Sequence, residues 1–209
     1  VYKRQGDGIL NIEFNSKMNT IGSGILQGLN KAIEIGEKNF QGLIIGNEGD
    51  NFSAGADLGM IFMMSVEQEY EKLDIAIKYF QETMMKLRYS NIPTIASPHG
   101  LTLGGGCELC MHADKVVAAA ETYIGLVEFG VGLIPGGGGT KEMTLRTSES
   151  FKKNDVELNI LRESFLNIAM AKVSESAYQA FGLGIFQKEK DYVVVENKRL
   201  LGIAKQEII

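Results

Sequence analysis

A chain of 209 residues is long enough for one domain with a sizeable core. At 44% hydrophobic and 22% charged the composition is that of an ordinary globular protein, apart from 25 glycines and no tryptophan. A net charge of −5 without a basic stripe argues against a nucleic-acid partner, and two cysteines rule out a disulfide scaffold and suggest a reducing, cytoplasmic setting.

In chain order, Val1–Gln5 (VYKRQ) reads like one frame of a common sequencing adapter. These residues are expected to be a non-native leader, which leaves residues 6–209 as the domain. Gly8–Phe14 alternates like a half-buried strand, Asn19 is a candidate helix cap, and the following helix turns Ile25, Leu29 and Ile33 inward. Gly42–Gly46 is a second strand, so a βαβ unit with a parallel or mixed sheet is expected. From Val66 to Leu87 the apolar residues Val66, Tyr70, Leu73, Ile77, Phe80, Met84 and Leu87 recur at spacings of four and three, which predicts one core-facing helix. Thr94–Ser97 starts another strand, a glycine run and a helix follow, and Lys115–Ala120 is a further strand. Glu121 and Glu128 interrupt the longest apolar run, so no membrane span is expected. Helices are predicted near Asp155–Ala171 and Ser174–Phe181, and a strand at Tyr192–Val195. The end, AKQEII, stops in a helix-like pattern without a cap signal, so the domain is expected to be cut there.

Three glycine-rich stretches stand out: NFSAGADLG (Asn51–Gly59), TLGGGCEL (Thr102–Leu109) and GVGLIPGGGGT (Gly130–Thr140). The first two follow a strand and precede a helix, where unpaired N–H groups and the helix dipole favour a phosphate or an oxyanion. No GxxxxGK[ST] occurs, and Gly130, Gly132 and Gly136 are spaced one residue too long for a dinucleotide fingerprint. Ser53 lacks the preceding glycine of a nucleophile elbow. Cys107 and Cys110 form a lone CxxC with no second pair for zinc, so they read as small buried hydrophobes and no metal site is expected. His99 and His112 are not favoured as general bases. Two carboxylates remain, Glu108 and Glu128, each among apolar residues whose desolvation raises a carboxyl pKa toward the range of proton transfer.

NFSAGADL, GGGCEL and GLVEFGVGLIPGGGGT, in this order and with twenty residues from Glu108 to Glu128, resemble the crotonase superfamily, the enoyl-CoA hydratases and isomerases. The resemblance runs from about Gly8 to Thr140. It implies a crotonase-like (ClpP/crotonase) α/β fold, a ββα superhelix with parallel sheets flanked by helices. It further implies that the N–H groups of Ala56 and Gly105 form an oxyanion hole. Ala54, Ala56, Asp57, Leu58, Gly59, Gly104 and Gly105 would line the CoA path. Glu108 would activate water and Glu128 would deliver a proton. The family's lysine beyond the GAD sequence is replaced by Gly59.

Later residues, from AKVSESAYQAF onward, resemble the hydratase portion of bacterial fusions with 3-hydroxyacyl-CoA dehydrogenase. Within this chain no cofactor is expected; NAD would belong only to a fused upstream dehydrogenase domain. The implied reaction is reversible addition of water to a 2-trans-enoyl-CoA in fatty-acid β-oxidation, with an acyl-CoA thioester as partner and a homo-oligomer allowed. The alternatives are an isomerase or other acyl-CoA enzyme on the same scaffold, or a non-catalytic CoA-thioester-binding or assembly module. Single-glutamate members of the family shift a double bond, so the presence of both carboxylates favours hydration. Phe165, Ile168 and Phe181 are expected to want covering by further helices.

Overall fold

The computed structural model describes residues 2–4 and 7–208, with side chains described from residue 7 onward. Six strands form the main sheet in the order β1 (Tyr2–Arg4), β2 (Ile9–Ile12), β3 (Gly42–Ile45), β4 (Thr94–Ala96), β6 (Lys115–Ala119) and β8 (Tyr192–Val194). All neighbours are parallel except β1, which runs antiparallel to β2. A second, parallel pair joins β5 (Gly100–Leu103) to β7 (Thr122–Gly125). The segment set aside as a leader thus supplies the edge strand β1.

Both faces of the main sheet are apolar, as the uninterrupted runs GLII and KVVAA require of buried parallel strands. Leu10, Leu43, Ile45, Val116 and Ala118 face the larger core, beneath the helices α1 (Ser23–Asn39), α3 (Tyr70–Arg88) and α4 (Gly105–His112). Their neighbours Ile9, Ile44, Val117 and Ala119 turn to the other face, where α8 (Leu200–Gln206) covers them with Leu200 and Ala204. The remaining helices are α2 (Leu58–Val66), α5 (Gly139–Glu149), α6 (Glu157–Ala169) and α7 (Ala177–Gly182). Among the described residues, no helix is long and apolar enough to cross a membrane.

Two expectations are corrected. Val66–Leu87 is not one helix: α2 ends at Val66, Gln68 takes φ +59°, and α3 begins at Tyr70. Its stripe is also buried only in part. Phe80, Met84 and Leu87 enter the core, while Val66 and Tyr70 are each more than 60% exposed and Ile77 is exposed too. Asn19 caps no helix, because α1 starts after Gly22. Instead the Asn19 amide donates to the carbonyls of Glu48 and Asn51 at 3.1 and 3.0 Å, tying the chain to the first glycine-rich loop. Of the apolar residues expected to want covering, Phe165 is exposed, while Ile168 and Phe181 pack against the core. Phe181 meets Phe186 edge-on, with ring centroids 5.6 Å apart.

Candidate active site

The first two glycine-rich loops are laced together by backbone hydrogen bonds. Ser53 N–H donates to Leu101 O at 3.1 Å and Leu103 N–H to Ser53 O at 2.9 Å, so NFSAG runs beside β5. Inside, Ser53 Oγ donates to Asn19 O at 2.8 Å and accepts from Gly55 N–H at 3.1 Å; this serine is fully buried and structural. The lacing brings Ala56 against the start of α4. A Cβ built on Gly105 would lie 3.3 Å from Ala56 N and 2.9 Å from Phe80 Cζ. Only glycine fits there. As the first residue of α4, Gly105 has an N–H without an intrahelical acceptor, and the Ala56 N–H has no acceptor among the described residues.

Around these two donors the other predicted binding residues divide. Gly104, at φ +50° and ψ −119°, makes the turn into α4, and a Cβ on it would come within 3.1 Å of Glu128 Oε1. Asp57 caps α2 by accepting from Met60 N–H at 3.2 Å, so its carboxylate is occupied locally. Leu58 and Gly59 are exposed on the first turn of α2, and Ala54 is half-buried, its N–H donating to Met18 O at 3.1 Å.

Glu108 sits in the first turn of α4, a helix with every residue buried. Its Oε1 accepts from Gly139 N–H at 2.8 Å. The Gly137–Gly139 turn wraps this carboxyl so closely that a Cβ on Gly137 would lie 2.5 Å from Glu108 Oε2 and 2.2 Å from Phe80 Cε1. Burial, then the nearby Glu128 charge, push the Glu108 pKa up to about 8, against the pull of the Gly137–Gly139 N–H groups. Glu128 opens a short 3-10 turn after β7, and burial raises its pKa too. Its buried Oε2 has no hydrogen-bond partner among the described residues. Two carboxyls are therefore held close together in poorly solvated positions, beside two free N–H groups.

Sequence reasoning missed two contributors. Phe80 is a core residue, as its spacing predicts, but its ring also lies against both Gly105 and Gly137, which spacing does not show. Behind α4 lies a buried charge cluster. Glu142 pairs with Arg88, with Arg146 Nε at 3.9 Å and with Lys141 at 3.1 Å. Arg88 and Arg146 also donate to Met111 O at 3.2 and 2.8 Å, capping the end of α4. Helix α5 thus supplies the partner of Arg88. Cys107 and Cys110 are buried, with thiol pKa values pushed up by desolvation, and His99 Nε2 donates to the Gly49 carbonyl at 2.9 Å, away from both carboxylates. An open hollow of about 540 Å³ bounded by Thr140, Lys141, Thr144, Leu145 and Ser148 contains neither carboxylate.

Loops that present N–H groups at a helix start and a pair of desolvated carboxyls thus meet at the ends of parallel strands, where ligands bind in α/β folds. Residues 4–152 match the family Enoyl-CoA hydratase/isomerase, and the chain belongs to it. A probable 3-hydroxyacyl-CoA dehydrogenase of Bacillus subtilis is 47% identical over 201 residues, 96% of this chain and 25% of the relative. A fatty acid oxidation complex trifunctional enzyme of Rickettsia felis is 41% identical over 132 residues, 63% of this chain and 18% of the relative. The chain thus spans a quarter or less of these curated relatives. Among solved structures, enoyl-CoA hydratase from Bacillus anthracis aligns with a TM-score of 0.80 at 24% identity, covering all of this chain and 74% of that one. The crotonase fold expected from the three motifs is the fold observed.

Proposed function

We propose that this chain hydrates 2-trans-enoyl-CoA thioesters reversibly to 3-hydroxyacyl-CoA, as the hydratase portion of a longer β-oxidation enzyme. The observation that carries this reading is the carboxyl pair: Glu108 and Glu128, both with raised pKa, beside the Ala56 and Gly105 N–H groups. The thioester oxygen is received by these two donors, which stabilise the enolate as negative charge develops on it. Glu108, anchored by Gly139, orients water and takes its proton during attack at C3. Glu128, free of competing hydrogen bonds at Oε2, delivers a proton to C2. Burial raises both carboxyls toward the range of proton transfer, and the cycle needs Glu108 ionised to take the proton of water and Glu128 protonated to give one. Similarity to a curated dehydrogenase of which this chain spans a quarter supports the fusion, in which NAD would serve a separate domain.

An isomerase on the same scaffold is the second reading; it needs one carboxyl to shuttle a proton and leaves the other idle. The test is Glu108→Gln and Glu128→Gln in the full-length protein, assayed for crotonyl-CoA hydration and for double-bond shift. Each substitution should lower hydration kcat by roughly 10²–10⁴-fold with little change in KM. Hydration within a few-fold of the parent in either variant overturns the assignment.

A further inference from the structure

His112 lies at the end of α4, one turn beyond Glu108, and only 1% of its surface is exposed. Its Nδ1 is 2.7 Å from the backbone oxygen of Glu108. A carbonyl only accepts, so Nδ1 carries the proton. On the other side Nε2 is 3.2 Å from Lys141 Nζ, an ammonium that only donates, so Nε2 presents its lone pair. The geometry therefore defines one neutral tautomer, and burial agrees, lowering the His112 pKa to about 4.

The same ring supports the glycine turn from below. A Cβ on Gly138, at φ +115°, would lie 2.9 Å from His112 Cε1. The N–H groups of this same turn, from Gly137 to Gly139, face the Glu108 carboxyl. His112 thus touches both supports of Glu108: the backbone that carries it and the turn that anchors its carboxyl. The charged groups around the ring are Lys141 and Glu142 from α5 and Arg88 from α3, with Glu142 Oε1 at 3.6 Å from Nε2.

We infer that His112 is a positioning residue for Glu108, acting as a neutral Nδ1–H imidazole that holds the helix turn and the Gly137–Gly139 turn in register. The inference rests on the proposed role of Glu108 and extends it to a residue that touches no substrate. If the register slackens, the glycine N–H groups bind the Glu108 carboxylate less well, and its pKa rises further.

The test compares His112→Leu, which removes both ring nitrogens, with His112→Asn, whose amide keeps a donor on the Nδ1 side. In the full-length enzyme the Leu variant should lose about 10–100-fold in kcat with KM changed less than about threefold, the scale reported for mispositioned catalytic groups. Its acidic kcat limb should move to higher pH, and Asn should restore most of the loss. Normal kcat and an unmoved limb in the Leu variant overturn the inference, as does equal loss in both variants. Should the Leu variant not fold, the nitrogen-15 shifts of His112 in the parent decide: Nδ1–H across pH 5–8 supports the inference, and an Nε2–H ring or imidazolium overturns it. If Glu108→Gln is inactive while His112→Leu is normal, only the positioning role fails; if Glu108→Gln stays active, the hydratase reading itself fails.

Discussion

The helices α2 and α4 both follow a glycine-rich loop, yet they are opposites in burial. All eight residues of α4 (GGCELCMH) are buried, including a glutamate and a histidine. None of the nine residues of α2 (LGMIFMMSV) is buried, and Phe62 is 65% exposed. The more apolar helix lies outside and the one with the ionisable groups lies inside. The apolar side chains of α2 therefore contribute little to the core, whereas in α4 burial tunes a carboxyl. An exposed apolar patch of this kind marks a surface suited to an apolar ligand or partner.

The largest expected effect comes from breaking the interior member. Gly105→Val puts a side chain into Phe80 and against Ala56 N, and it blocks the space next to the two donors. Turnover should fall by at least 10²–10³-fold, roughly 3–4 kcal/mol for one lost oxyanion donor, before any steric block is counted. Steady-state hydration assays alongside circular dichroism would separate this from unfolding. A folded variant with normal turnover would mean that the thioester oxygen binds elsewhere.

A second, smaller effect follows from the raised pKa of Glu108. A carboxyl raised from 4.5 to about 8 binds its proton more tightly in the folded state. Its stabilising contribution is complete below about pH 4.5 and is lost as pH rises through 8. Stability should therefore decline across that window, by a few kcal/mol at most. Glu108→Gln, which cannot ionise, should remove most of the decline. Thermal denaturation of both proteins at pH 5 and pH 8 checks this, and parallel curves would refute it.

The smallest effect belongs to the exposed member of the pair. Phe62→Ser on α2 should leave unfolding free energy within about 0.5 kcal/mol, because an exposed side chain forfeits little packing. Chemical denaturation measures it. A loss above about 1.5 kcal/mol would show that α2 is covered in solution, and the contrast with α4 would then need redrawing. An unchanged stability with weaker acyl-CoA binding would instead tie the exposed face to the ligand.

Periodicity was a sound guide to where elements form and a poor one to what they bury. The stripe from Val66 to Leu87 keeps helical spacing straight through Gln68, whose positive φ separates two helices. Spacing is a local property, and burial depends on whether another element lies opposite. The strands β5 and β7 went unread for a related reason. GLTL and TYIG are four residues each, too short to show alternation, and they exist as a sheet because they pair with one another. Helix α5 carries too few apolar residues for its pattern to be seen, yet Met143 enters the core and Glu142 pairs with Arg88 of α3.

By itself the sequence determined the βαβ start, the loops at the ends of strands, and the two carboxylates with their spacing. These are local matters: glycine permits the turn, alternation builds the strand, and the order of motifs identifies the family. Only the tertiary structure decided what state those carboxyls are in. Glu108 is anchored by Gly139, thirty-one residues away, and desolvated by a helix and a turn that share no sequence neighbourhood with it. Phe80 and His112, both read as bland, acquire their places because the glycines facing them carry no Cβ and so leave room for the rings. Desolvation, hydrogen-bond direction and close approach are set by neighbours in space, and a linear pattern does not contain them.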